Sequence, residues 1–122
     1  MGLLSGGQRQ AVSLVMATLA PTQVLLLDEH TAALDPQTAS YILSLTQQLV
    51  REQQLTTIMV THSMQQALDL GDRTLMLHKG RTALDTAGEE RKGLTVNDLL
   101  NAFARQNPSE AGVIDDDALL LG

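Results

Sequence analysis

Val24-Leu25-Leu26-Leu27-Asp28-Glu29 (VLLLDE) is a short, uniformly apolar run that stops at two acids. Such a run suits a strand covered on both faces, as a parallel sheet flanked by helices provides. The flanks agree with this. Upstream, Ser5 and Gln8 have the spacing of a capping box, which predicts a helix beginning near Ser5. Ala11, Val12, Val15, Met16 and Leu19 follow at helical spacing, and Pro21 ends the element. Downstream, Asp35-Pro36 reads as a cap with proline at the first helical position. Ala39, Ile42, Leu43, Leu45, Leu49 and Val50 form the apolar stripe of that helix.

The pattern then repeats. Thr56–Thr61 (TTIMVT) is a second predicted buried strand, rich in β-branched residues. Ser63 and Gln66 cap a short helix that stops at Gly71. Thr74–His78 is a third strand, and Lys79-Gly80 turns into a weaker edge strand near Arg81–Leu84. Thr95 with Asp98 opens a last helix to about Arg105, which Asn107-Pro108 ends. Strands alternating with helices predict an α/β fold with a mainly parallel sheet. The expected organisation is one unit over residues 1–106 and an acidic, loose tail over 107–122, containing Asp115, Asp116 and Asp117.

Composition narrows the chemistry. The 122 residues are 43% hydrophobic and 18% charged, as in a globular chain. The net charge of −6 argues against nucleic acid and anionic membranes as partners. With 2% aromatic residues a base-stacking platform is nearly excluded. The absence of cysteine excludes disulfides, thiolate metal sites and thiol nucleophiles. Ala11–Ala20 has the look of a short secretory core, but a buried helix behind the capping box accounts for it better.

Four features carry chemistry. Leu4-Ser5-Gly6-Gly7-Gln8 stands at a helix start, where unpaired N–H groups and the positive dipole end face outward. Two glycines would admit an anion close to the backbone, and Ser5 adds a hydroxyl donor. A Gly-rich turn with a good cap would look the same. The pentapeptide, though, arises by chance on the order of once in 10,000 chains of this size. Asp28 and Glu29 end a strand at the sheet edge where α/β folds bind ligands. One acid can hold Mg²⁺, and the next can orient or deprotonate an attacking water. Ala33-Leu34-Asp35 is the third feature, and Asp35 is also simply a helix cap. His62, just past a strand, is the fourth; it can meet a terminal phosphate.

In this order the four resemble the nucleotide-binding subunit of ABC transporters, from about Leu3 to Phe103. LSGGQRQ looks like the signature, VLLLDE like Walker B with its catalytic glutamate, ALD like the D-loop, and the His of VTHS like the switch histidine. His30 departs from the usual Pro or Ala, and a packing role is expected for it. DEHTAALDP, with the ending KGLTVNDLL, is similar to ATPases of amino-acid-type uptake systems.

The resemblance implies a head-to-tail dimer of ATPase subunits with ATP between them. Asp28 would hold Mg²⁺, Glu29 would polarise water and His62 would fix the γ-phosphate. Ser5, Gly6, Gly7 and Gln8 would reach the nucleotide across the interface, and Asp35 would couple the two sites. The implied partners are a second ATPase subunit, transmembrane permease subunits and, for an importer, a solute-binding protein. The implied location is cytoplasmic, on the inner face of the membrane.

No G-x-x-x-x-G-K-[ST] occurs in the sequence. The chain therefore looks like the C-terminal half of an ATPase domain, lacking the Walker A strand, and inactive by itself. In the resembled fold that strand lies between Thr56–Thr61 and Thr74–His78. Without it the chain is expected to be marginal, to aggregate, or to pair those two strands directly. Two other readings are a catalytically dead dimerisation module and a soluble ABC-type ATPase unconnected with transport. The acidic charge and the lack of aromatics count against the latter.

Overall fold

The computed structural model describes residues 5–106. The predicted tail over 107–122, with Asn107-Pro108, and Leu4 of the signature-like pentapeptide lie outside the described residues. The chain divides into two compact units, with the division between Val60 and Thr61.

The first unit opens with α1 (Gly6–Leu19). Its capping box forms as predicted: the Ser5 hydroxyl accepts from the Gln8 N–H at 3.1 Å, and the Ser5 N–H donates to Gln8 Oε1 at 3.0 Å. Then come β1 (Val24–Asp28), α2 (Pro36–Gln53) and β2 (Thr56–Val60). Asp35 caps α2 by accepting from the Thr38 N–H at 3.1 Å. β1 and β2 pair in parallel, from Val24 opposite Thr56 to Asp28 opposite Val60. The core joins Leu14 of α1 to Leu25, Leu27 and Leu55, with Leu45, Leu49, Val50 and Met59 packed against them. Each fully buried leucine is worth about 2 kcal/mol by the area it removes from water.

Both helices thus cover one face of the strand pair, and this corrects the sequence reading. β1 and β2 are not buried on both faces: Leu25 and Leu27 are buried, whereas Val24, Leu26, Ile58 and Val60 are exposed, Leu26 at 71%. The stripe expected to bury α1 is corrected too. Gly7, Leu14 and Thr18 are its buried residues, while Val12, Val15, Met16 and Leu19 face solvent. Periodicity identified a helix, but which apolar flank is covered depends on the layer packed against it.

The second unit contains α3 (Met64–Asp69), β3 (Arg73–His78), β4 (Arg81–Ala87), α4 (Gly88–Arg91) and α5 (Val96–Gln106). β3 and β4 form an antiparallel hairpin. The two turn residues, Lys79 (φ 50°) and Gly80 (φ 75°), both have the left-handed backbone that a tight hairpin turn of the primed type demands. An irregularity between Met76 and Leu77 leaves Ala83 as the extra residue of β4. Phe103 and Leu99 of α5 are almost fully buried, and the Phe103 ring meets His78 edge-on at 5.0 Å. The Arg91 guanidinium gathers carbonyls at the end of α3, of which Ala67 O also accepts from Thr74 Oγ1. It donates to Ala67 O (3.2 Å), Leu68 O (2.6 Å) and Leu70 O (2.7 Å), and through Nε to Thr74 Oγ1 (2.8 Å).

The α/β class therefore holds with a parallel strand pair, and the second sheet is antiparallel. Among the described residues β2 pairs with β1 within the first unit, and β3 with β4 within the second. β4 runs three residues past its predicted end, and α4 was not foreseen.

Candidate functional site

The candidate residues of the first unit fall into two groups. One surrounds the start of α1. Ser5, Gly6 and Gln8 are exposed there, and Gly7 is buried. The reason is steric: a Cβ on Gly7 would run into Thr38 Cγ2 in the first turn of α2. A Cβ on Gly6 would meet only Leu34 Cδ2, at 3.5 Å. The structure thus brings Ser5–Gln8 beside the Leu34–Thr38 segment, which contains Asp35. A shallow groove of about 380 Å³ lies along this junction, lined by Ser5, Gly7, Gln8, Thr38 and Tyr41 among others. Ser5 Oγ is used as an acceptor by the Gln8 N–H, which leaves its own proton for a ligand. Hydrogen bonding from the Thr38 side chain and N–H holds the Asp35 carboxyl below the usual carboxylate range.

The other group stands at the carboxyl end of β1. Asp28 is its last residue and is exposed. Glu29 follows with φ 51°, a left-handed backbone that costs a non-glycine residue about 1–2 kcal/mol. It is held by two backbone bonds: its N–H donates to Val60 O at 2.8 Å, and its carbonyl accepts from the Ala32 N–H at 3.1 Å. The ends of β1 and β2 are thereby tied together at the two acids.

His30 comes next and takes the expected packing role. Its Nε2 lies 3.0 Å from Thr46 Oγ1 on α2, and partial burial lowers its pKa from the ordinary histidine value.

His62 belongs to the second unit. It is exposed and sits between two pinned neighbours. Thr61 Oγ1 donates to Gln66 Oε1 at 2.9 Å and accepts from the Ser63 N–H at 3.0 Å, while Ser63 Oγ accepts from the Gln66 N–H at 3.2 Å. The backbone on either side of the imidazole is therefore set by the start of α3.

The chemistry of these residues can be compared with what a phosphate and Mg²⁺ require. Among the described residues there is no group of three His, Asp or Glu that would cage a metal. A single exposed carboxylate on a strand end suits Mg²⁺, which takes one or two carboxylates and completes its shell with water and phosphate oxygens. The start of α1 offers backbone N–H groups and a hydroxyl to an anion, with Gly6 as its open glycine. Three contributors were not legible in the sequence: Thr38, which fills the space Gly7 leaves; Thr46, which receives His30; and Arg91, which closes α3. None carries a motif, and each acts on residues distant in the chain or on another element.

No protein-family model matches the chain. Individual relatives do. The chain is 55% identical over 100 residues to a tyrosine transport ATP-binding protein of Clostridioides difficile, which covers 82% of this chain and 40% of that protein. It is 49% identical over 84 residues to an aliphatic sulfonates import ATP-binding protein of Burkholderia cenocepacia, covering 69% of this chain and 26% of the relative. A sulfonate import ATP-binding protein of Paraburkholderia xenovorans is 48% identical over 82 residues, covering 67% and 24%. The chain thus spans well under half the length of these curated relatives. Among the described residues no helix is long and apolar enough to cross a membrane. The signature-like helix start, the acid pair at the end of β1 and these identities together place the chain in the ABC transporter ATP-binding protein family.

Proposed function

We propose that the chain is the signature-to-switch part of an ATPase that hydrolyses ATP between two head-to-tail subunits and drives solute uptake through membrane permease subunits. The observation that carries this is Glu29, an acid held in a strained backbone conformation at the ligand-binding edge of a parallel strand pair. Ser5, Gly6 and Gln8 present donors to the nucleotide bound by the facing subunit. Gly7 lets α1 seat against Thr38, so that those donors are aimed outward. Asp28 holds Mg²⁺, which when bound neutralises charge on the phosphates. Glu29 orients the attacking water and takes its proton, and His62 donates to the terminal phosphate. Asp35, fixed by its cap of α2, links the start of α1 to the loop behind Glu29. The working location is the cytoplasmic face of the membrane, and residues 1–106 act as one functional segment. The relatives' names support import of a small organic solute, with an amino acid as the preferred class.

The chain by itself lacks a Walker A motif, so it should bind ATP poorly and not hydrolyse it. The test is calorimetric titration with Mg-ATP, first on the chain and then on the chain joined behind the preceding portion of the tyrosine transport relative. Weak binding in the first and turnover in the second are expected. Micromolar affinity in the chain alone, or no turnover in the joined protein, refutes the proposal.

A further inference from the structure

We propose that His30 is a positioning residue for Glu29, anchoring to α2 the loop in which Glu29 keeps its left-handed backbone. The inference rests on the reading of Glu29 as the residue that acts on water. Thr46 Oγ1 has one proton and gives it to Ile42 O, at 2.7 Å. It therefore faces His30 Nε2, 3.0 Å away, with a lone pair. Nε2 must then carry the ring proton, which assigns the tautomer from the hydrogen-bond network. The anchor is rigid, because Thr46 is 6% exposed and Ile42 is completely buried.

Glu29 needs such an anchor. A left-handed non-glycine residue persists only where its surroundings over-determine it. Two of its holds, Val60 O and the Ala32 N–H, are backbone bonds that any residue at position 30 would leave in place. The His30–Thr46 bond is different in kind: it spans 16 residues and requires a side-chain N–H of that reach. It ties the peptide directly after Glu29 to the buried side of α2. Movement of this loop would move the carboxylate relative to Asp28 without disturbing the core leucines.

The first test uses the chain itself. A long-range proton–nitrogen NMR correlation should show His30 protonated on Nε2; protonation on Nδ1 alone would overturn the proposal. In His30→Phe the Glu29 and Ala32 amides should exchange about fivefold faster, as loss of one net hydrogen bond predicts. His30→Gln, whose amide can reach the same hydroxyl, should restore them.

The second test uses the joined ATPase. His30→Phe should lower kcat about tenfold at unchanged KM, as a small misplacement of a catalytic group does, and His30→Gln should recover most of it. Leu25→Ala, a core change away from the loop, should keep kcat at temperatures where the protein remains folded. Equal kcat in wild type and His30→Phe, or an equal loss in Leu25→Ala, overturns the positioning role while leaving the functional reading intact. No turnover in the wild-type joined protein overturns both, and the NMR result then reports only on the loop.

Discussion

Gly7→Ala tests whether this glycine is required by packing. A new Cβ would collide with Thr38 Cγ2, and Thr38 Cβ would lie 3.6 Å away. Relief requires either moving α1 from α2 or turning the Thr38 side chain. The first is overpacking, at about 1–3 kcal/mol. The second gives up the Thr38 side-chain bond that helps hold the Asp35 carboxyl ionised. Against either stands a helix-propensity gain of at most about 1 kcal/mol for replacing glycine by alanine. The balance is a net loss near 1 kcal/mol, or a fall of about 0.5 M in the urea midpoint for a chain this small. Gly6→Ala is the internal control. Its Cβ meets only Leu34 at an ordinary contact distance, so the midpoint should hold or rise. Removing the obstructing methyl with Thr38→Ser should rescue Gly7→Ala in the double variant. Urea unfolding followed by far-ultraviolet circular dichroism measures all four. A Gly7→Ala midpoint equal to or above that of Gly6→Ala would refute the reasoning.

Other outcomes follow from the same geometry. In the joined ATPase, Glu29→Gln should abolish turnover yet still permit dimers closed on ATP, read by phosphate release and by gel filtration; ordinary hydrolysis would sink the assignment. Arg91→Met should cost about 2 kcal/mol by stranding the carbonyls of Leu68 and Leu70, while Thr74 Oγ1 still donates to that of Ala67, seen as a lower urea midpoint and faster amide exchange in α3. Asp35 and Asp85 both have lowered carboxyl pKa values, the first from Thr38 hydrogen bonds and the second from hydrogen bonding to Arg73. Their ionised forms favour the fold, so that contribution is whole above about pH 4 and fades as pH falls through the lowered values. Asp35→Asn with Asp85→Asn should flatten the acid limb of a stability–pH curve, and an unchanged limb would count against it.

Helix starts were the most legible part of the sequence. Ser5 with Gln8, Asp35 ahead of Pro36, Ser63 with Gln66, and Thr95 with Asp98 all form the cap bonds expected of them. A cap is closed within four residues, so local sequence suffices to read it. Burial was read less well. Leu26 and Ile58 have the composition of buried strand residues and are exposed, because β propensity does not say which neighbours cover a face. α4 was missed since no side chain caps its start. At the site, Asp28 and Glu29 were placed at a strand end from the apolar run alone. The positive φ of Glu29 left no mark in the sequence, as only a glycine or asparagine would have advertised it.

The bare side of the β1–β2 pair has a practical consequence. Val24, Leu26, Ile58 and Val60 present a band of aliphatic carbon to water in the folded chain. Fluorescent probes that light up on greasy surfaces should therefore glow with the native molecule already present. Melting curves taken with such dyes would start from a high baseline and mislead, whereas circular dichroism would not.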